Sequence, residues 1–259
     1  MKEILDKIRK IGIVPVVALD DAGDAVNLAN ALISGGLGAV EVTFRTDAAE
    51  EAIRIIVESV PDIIVGAGTV TTIKMADRAI DAGAKFIVSP GFNPDVTKHV
   101  ISRGAPMIPG CATPGEMEQA MALGLDTVKF FPAEQNGGAD MLRALAGPYR
   151  NLNWMPTGGI NADNLSEYLS IPQVIACGGT WMVKKDLIAQ KKWDEISSLC
   201  NEAVMKMIGL QVKNIDSEKG MLGVCVRDNE RTRYHLERLG LSFEDNRRKS
   251  WELSLLSEK

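Results

Sequence analysis

The chain has 259 residues, 46% of them hydrophobic and 24% charged, with a formal net charge of −5. That length suits one α/β barrel with an appendage or two domains. The mild acidity, with no basic stripe interleaved with aromatics, argues against nucleic acid as a partner, and no apolar run approaches the roughly 18 residues that span a membrane.

The opening Met-Lys-Glu-Ile-Leu-Asp-Lys-Ile-Arg-Lys reads as a short amphipathic helix and lacks the uninterrupted apolar core of a signal peptide. Apolar runs at 14–19, 39–44, 63–68, 86–90, 106–110, 127–132, 153–159 and 174–179 then read as strands, rich in Val and Ile and mostly ending at Gly or Pro. Segments with helical spacing lie between them, among them 22–34, 48–60, 73–82, 94–102 and 114–123. This alternation predicts a parallel sheet covered by helices. Closed into a ring it is a (β/α)8 TIM barrel. A doubly wound open sheet is the competitor, but no GxGxxG follows the first strand.

Residues 183–209 read as the last helical stretch, completing a barrel over 1–209. After Gly209 the texture changes: 211–220 is polar, 221–226 reads as a strand, 229–239 as a helix, and 241–244 and 251–256 as strand candidates. This small C-terminal βαββ-like extension, 210–259, is too short to bury its own apolar residues. It is expected to pack on the barrel or on a neighbouring subunit through Leu239, Leu241, Phe243, Trp251, Leu253 and Leu256. Cys111, Cys177, Cys200 and Cys225 form no CxxC pair, and His99 and His235 are the only histidines, so no metal site is expected. The chain reads as cytoplasmic with reduced thiols.

Lys129 stands out in Thr-Val-Lys-Phe-Phe-Pro (127–132). In a strand, 127, 129 and 131 share one face, which puts an ammonium on an otherwise buried surface where the charged form is penalised. A neutral lysine amine in a dry pocket attacks carbonyl carbon, the start of Schiff-base chemistry. A lysine snorkelling from a strand end or pairing with a carboxylate would leave the same local pattern. Its companions decide between the two.

The second strand carries Glu41, Thr43 and Arg45 on one parity against Val40, Val42 and Phe44 on the other. The apolar set belongs under the helices, so Glu41 and Arg45 point inward, toward the end where barrel active sites sit. They stand about 13 Å apart along the strand, so each needs another partner. Lys129 and a substrate carboxylate are natural ones. Thr69 ends the third strand, where it either faces the site or caps the next helix. Ser-Pro-Gly (89–91) makes a rigid turn after the fourth. The seventh and eighth strands end in Gly158-Gly159 and Gly178-Gly179, followed by Thr180. Barrel phosphate sites are frequently built from these two loops, because glycine lets backbone N–H groups approach an anion.

Taken in order, Glu-Val-Thr-Phe-Arg-Thr (41–46), Gly-Ala-Gly-Thr-Val (66–70), Ser-Pro-Gly (89–91), Lys-Phe-Phe-Pro-Ala-Glu (129–134), Pro-Thr-Gly-Gly-Ile (156–160) and Gly-Gly-Thr-Trp (178–181) resemble the signature of the 2-keto-3-deoxy-6-phosphogluconate (KDPG) / 4-hydroxy-2-oxoglutarate (KHG) aldolases, over about residues 5–205. The resemblance implies a class I aldolase with no cofactor, acting on a small keto acid. Lys129 would form the Schiff base and Glu41 serve as acid/base. Arg45 and Thr69 would bind the keto-acid carboxylate, and Pro90 and Phe131 line the pyruvyl pocket. Gly158, Gly159, Gly178, Gly179 and Thr180 would bind phosphate. Position 180 is usually serine in the family; the threonine keeps the hydroxyl and adds a methyl that crowds the anion site. The resemblance also implies a homotrimer. Two other readings stay open from the residues alone: a phosphate-sugar isomerase or synthase with Glu41 as base and no imine, and a silent barrel serving its extension as an interaction module.

Overall fold

The computed structural model describes residues 2–216, 221–240, 242–244 and 252–254, with side chains for 2–211 and 225–240. It is an α/β fold whose parallel strands form a curled, half-barrel sheet. The chain opens with α1 (Lys2–Ile11), then β1 (Ile13–Val17), α2 (Ala25–Ser34), β2 (Ala39–Thr43), α3 (Ala49–Ser59), β3 (Ile64–Gly68), α4 (Ile73–Asp81), β4 (Phe86–Val88) and α5 (Pro94–Ser102). The fifth run is split by Pro109 into β5 (Met107–Ile108) and β6 (Gly110–Cys111), followed by α6 (Pro114–Ala122), β7 (Thr127–Phe130), α7 (Gly138–Ala146), β8 (Asn153–Trp154), α8 (Leu165–Leu169), β9 (Cys177–Gly179), α9 (Lys185–Ala189) and α10 (Trp193–Ile208).

The helices start where the sequence supplies caps. The Thr113 side chain accepts from the Glu116 N–H while Glu116 returns the bond, and Pro114 takes the first helical position, where its missing N–H costs nothing. Asn93 and Thr72 cap α5 and α4 in the same sense. Every residue of β1 and β2 is buried, as expected of strands covered on both faces.

One sheet runs β5-β4-β3-β2-β1-β9 and a second β6-β7-β8, all pairs parallel. Single bridges, Trp154 to Val174 and Thr157 to Gly178, join the second sheet to the segment entering and forming β9. Thr43 on β2 donates its hydroxyl to the Val17 carbonyl on β1 at 2.9 Å, tying two strand ends together.

Beyond α10, whose C-terminus is closed by Gly209 in the left-handed conformation, the chain forms β10 (Gln211–Asp216), β11 (Met221–Cys225), α11 (Asn229–Arg238), β12 (Ser242–Glu244) and β13 (Glu252–Ser254). Its four strands pair antiparallel in the order β10-β11-β13-β12. The extension therefore begins one strand earlier than βαββ: the polar run after Gly209 is an edge strand. Edge strands carry polar residues readily, because one side has no neighbour to bury them.

Helix α11 packs beside α1, away from the C-terminal ends of the parallel strands. Arg231 is buried and donates to the Arg9 carbonyl at 3.0 Å and to the Val174 and Ile175 carbonyls at 2.9 and 3.0 Å. His235 donates Nε2–H to the Ile11 carbonyl at 3.0 Å, and Leu236 is buried beside it. Leu239 does not pack on the barrel of its own chain: it is 64% exposed, past the buried stripe Arg231, Thr232, His235 and Leu236, which leaves a neighbouring subunit as the place for the packing expected of it. The side chains of Leu241, Phe243, Trp251, Leu253 and Leu256 lie outside the described residues. The helical stretch read over 183–209 is two helices, interrupted near Lys191, which takes φ +55°. Among the described residues no helix is long and apolar enough to cross a membrane.

Candidate active site

Lys129 is the third residue of β7 and Glu41 the third of β2. These strands are not neighbours in either sheet, yet the Lys129 Nζ donates to Glu41 Oε1 at 3.3 Å, with side chains only 5% and 1% exposed. The contact is possible because the sheets curl, turning the concave faces of distant strands toward each other. Phe131, two residues on and therefore on the same face, sets its ring centroid 5.0 Å from the Lys129 Nζ.

One glycine makes room for Glu41 and another for the turn beside Lys129. A Cβ on Gly68 would sit 2.2 Å from Glu41 Oε1. Gly110, paired with Lys129 across β6 and β7, leaves space for the backbone of Pro90, whose carbonyl oxygen a Cβ would meet at 2.2 Å. That contact places Pro90 one strand from Lys129, its turn held by a bond from the Ser89 hydroxyl to the Gly91 carbonyl at 2.7 Å. Glu41 Oε2 is buried and has no hydrogen-bond partner among the described residues. An unpaired buried carboxylate oxygen is costly, and the group that satisfies it has to be a ligand, a water or a transferred proton.

Arg45 and Thr69 also meet: Arg45 Nε donates to Thr69 Oγ1 at 3.2 Å. Thr69 adopts φ +58°, a left-handed backbone that a β-branched residue takes only when its surroundings impose it, and such strain gathers at functional sites. Arg45 is exposed, so its guanidinium can receive an anion from solution. Among the described residues no bond joins Arg45 to Glu41 or Lys129, which leaves two pairs, a buried one spanning β2 and β7 and a surface one just beyond the ends of β2 and β3.

The glycine pairs divide in character. Gly158 and Gly159 take φ +104° and +78°, a turn open only to glycine in practice, whereas Gly178 and Gly179 are buried in β9. A Cβ on Gly178 would lie 2.2 Å from Thr157 Oγ1, so the two loops are in contact. Thr180, just beyond, is exposed. Thr157 was not singled out by the sequence reading. Its hydroxyl is buried and has no partner among the described residues, and its only outward signal is its place before a glycine pair at a strand end. Among the described residues no group of three or more His, Cys, Asp or Glu could hold a metal ion.

A buried lysine–glutamate pair inside a curled parallel sheet, with an arginine at its rim, is an arrangement that enzymes using an amine nucleophile can employ. Residues 4–199 match the aldolase family described as KDPG and KHG aldolase, and the chain belongs to that family. It is 46% identical over 210 residues to the 2-dehydro-3-deoxy-phosphogluconate aldolase of Treponema pallidum, covering 81% of this chain and 100% of that one. Among solved structures it is similar to the KDPG aldolase of Legionella pneumophila with pyruvate captured as a covalent carbinolamine intermediate, at TM-score 0.75 and 36% identity, covering 77% of this chain and 97% of that one. It is also similar to the Zymomonas mobilis KDPG aldolase with 3-phosphoglycerate, at TM-score 0.71 and 40% identity, covering 77% and 94%.

Proposed function

We propose that this chain is a class I aldolase that cleaves KDPG to pyruvate and glyceraldehyde 3-phosphate, KHG to pyruvate and glyoxylate, or both. The observation that carries the proposal is the buried Lys129–Glu41 contact at 3.3 Å. In this reading the Lys129 amine passes a proton to Glu41 and attacks C2 of the keto acid, giving a carbinolamine. Glu41 returns that proton to the carbinolamine hydroxyl, which leaves as water, and the resulting iminium draws electrons toward C2. Glu41 then takes the proton of the C4 hydroxyl, the C3–C4 electron pair moves into the enamine, and the aldehyde departs. Protonation of the enamine at C3 and hydrolysis of the imine release pyruvate and restore the amine. Each step uses these side chains and water. The covalent pyruvate adduct of the Legionella relative supports the route.

Arg45 and Thr69 hold the substrate carboxylate, with Phe131 and Pro90 walling the pyruvyl group. Gly158, Gly159, Gly178, Gly179 and Thr180 hold the distal phosphate. Among the described residues the N–H groups of Gly158, Gly159 and Ile160 have no partner, which suits an anion cradle. The 3-phosphoglycerate of the Zymomonas relative is consistent with a phosphate subsite. In the same account the two parallel sheets are arcs of one closed (β/α)8 barrel spanning 1–209, with 210–259 as an accessory unit. The enzyme works as a cytoplasmic homotrimer. The isomerase, synthase and silent-barrel alternatives fall with membership of an aldolase family.

Pyruvate release from KDPG and KHG, measured on one preparation, tests the proposal. Turnover of at least one substrate is expected, and turnover of neither would defeat it.

A further inference from the structure

We infer that Glu134, anchored by Tyr168, is a positioning residue for the Gly158–Gly159 turn and thereby sets affinity for the phosphorylated substrate. The inference rests on the phosphate reading above. Two successive glycines in left-handed conformations have no intrinsic reason to hold one geometry, so something outside the turn must fix it. Three contacts do so. The Glu134 N–H donates to the Gly158 carbonyl at 3.1 Å. The Asn164 side-chain amide donates to the Gly159 carbonyl at 3.2 Å, with Asn161 at 3.5 Å. The Glu134 side chain fills the space beside Gly159, where a Cβ would lie 2.4 Å from its Cγ and 2.7 Å from its Cβ.

Both carbonyls are thus tied back, and the N–H groups of Gly158 and Gly159 are left without a partner among the described residues. A carboxylate so near an anion site would repel it, but the charge is drawn away. The hydroxyl of Tyr168, a fully buried residue of α8, donates to Glu134 Oε1, so the carboxylate is held toward α8 while the aliphatic stem lies against Gly159. Burial first, and then the Glu134 bond, push the Tyr168 phenol well above its ordinary value, which keeps it a donor throughout the working pH range. Gly138, at φ +63°, leaves open the space around both groups: a Cβ there would come within 3.4 Å of Glu134 Oε1 and the Tyr168 hydroxyl.

The test compares Glu134→Ala, Glu134→Gln and Tyr168→Phe with the parent enzyme. The readouts are KM and kcat for KDPG and KHG, and inhibition by inorganic phosphate. Glu134→Ala should raise KM for KDPG and the inhibition constant for phosphate about tenfold, the scale of one mis-set charged hydrogen bond. Its kcat and its KM for KHG should stay near the parent values. Glutamine keeps the stem and an acceptor for Tyr168, so it should restore parent behaviour, and Tyr168→Phe should fall between. The inference is overturned by an alanine variant that matches the parent on KDPG, by equal losses on both substrates, or by a glutamine variant as poor as alanine. If phosphate fails to compete with KDPG in the parent, the phosphate reading itself falls. If it competes there and equally well in Glu134→Ala, only the role of Glu134 falls.

Discussion

An alanine at position 68 probes the Lys129–Glu41 pair with a single methyl. Gly68 ends β3 in ordinary strand conformation, so the backbone accepts alanine and the cost arises from what the methyl meets. It would lie 2.2 Å from Glu41 Oε1, 2.7 Å from Cγ and 2.8 Å from Cδ, where ordinary contact begins near 3.4 Å. The oxygen must move by about 1.2 Å, and because its contact with Lys129 is already 3.3 Å long, the expected outcome is loss of that hydrogen bond. A displacement of about 1 Å in a group positioned for chemistry costs roughly 100-fold in rate, or about 2.7 kcal/mol of barrier. The crowding adds about 1–3 kcal/mol of lost stability. Pyruvate release gives kcat, and urea unfolding of the same sample gives stability. Gly66→Ala is the control: its methyl would meet the Phe86 ring at 2.2 Å, so it should lose similar stability while the folded enzyme keeps its turnover. A Gly68→Ala enzyme with parent kcat would refute the claim that the position of Glu41 governs the reaction.

Three further outcomes follow from the same contacts. Thr69→Gly should raise stability by up to about 1 kcal/mol by relieving the left-handed threonine, yet raise KM for keto acids by removing the hydroxyl that meets Arg45; an unchanged KM would show that the hydroxyl has no binding role. Burial, then the Arg238 and Arg231 charges, hold the His235 imidazole below its ordinary value against the pull of the Ile11 and Gly36 carbonyls. The unfolded state therefore binds more protons, and stability present above about pH 6.5 is lost as pH falls below it. Urea unfolding across that range should show the slope in the parent and a flatter one in His235→Gln, and equal slopes would exclude His235 as the source. Ending the chain at Gly209 should preserve KDPG cleavage, because α11 covers the end of the sheet away from Lys129; a folded but inactive truncation would show that the extension reaches the site.

How much of this could be read from the chain depended on whether the signal was local. Lys129 and Glu41 were legible because a strand puts alternate residues on one face, and a charge on an apolar face stands out. That Glu41 needed a partner other than Arg45 followed from their spacing, and Lys129 proved to be that partner. The role of Gly68 was hidden, since the side chain it accommodates comes from a neighbouring strand. Thr157 was overlooked because only the tertiary structure shows that its hydroxyl is buried with no partner among the described residues. The strand Gln211–Asp216 escaped because an edge strand need not carry an apolar run, and the break near Lys191 because no Gly or Pro marks it. The anchor of α11 went unread because a lone arginine on a polar helix gives no sign that it is buried, yet Arg231 bonds three carbonyls there.

The central claim is that the Lys129 amine forms a covalent imine with the keto acid. Borohydride reduction in the presence of pyruvate, followed by peptide mass spectrometry, tests it most directly, because reduction fixes an imine as a stable secondary amine. The account predicts one pyruvate-derived adduct, on Lys129, and none in Lys129→Arg, whose guanidinium cannot be deprotonated to a nucleophile in a protein. An adduct on another lysine, or none under conditions where the enzyme turns over, would contradict it.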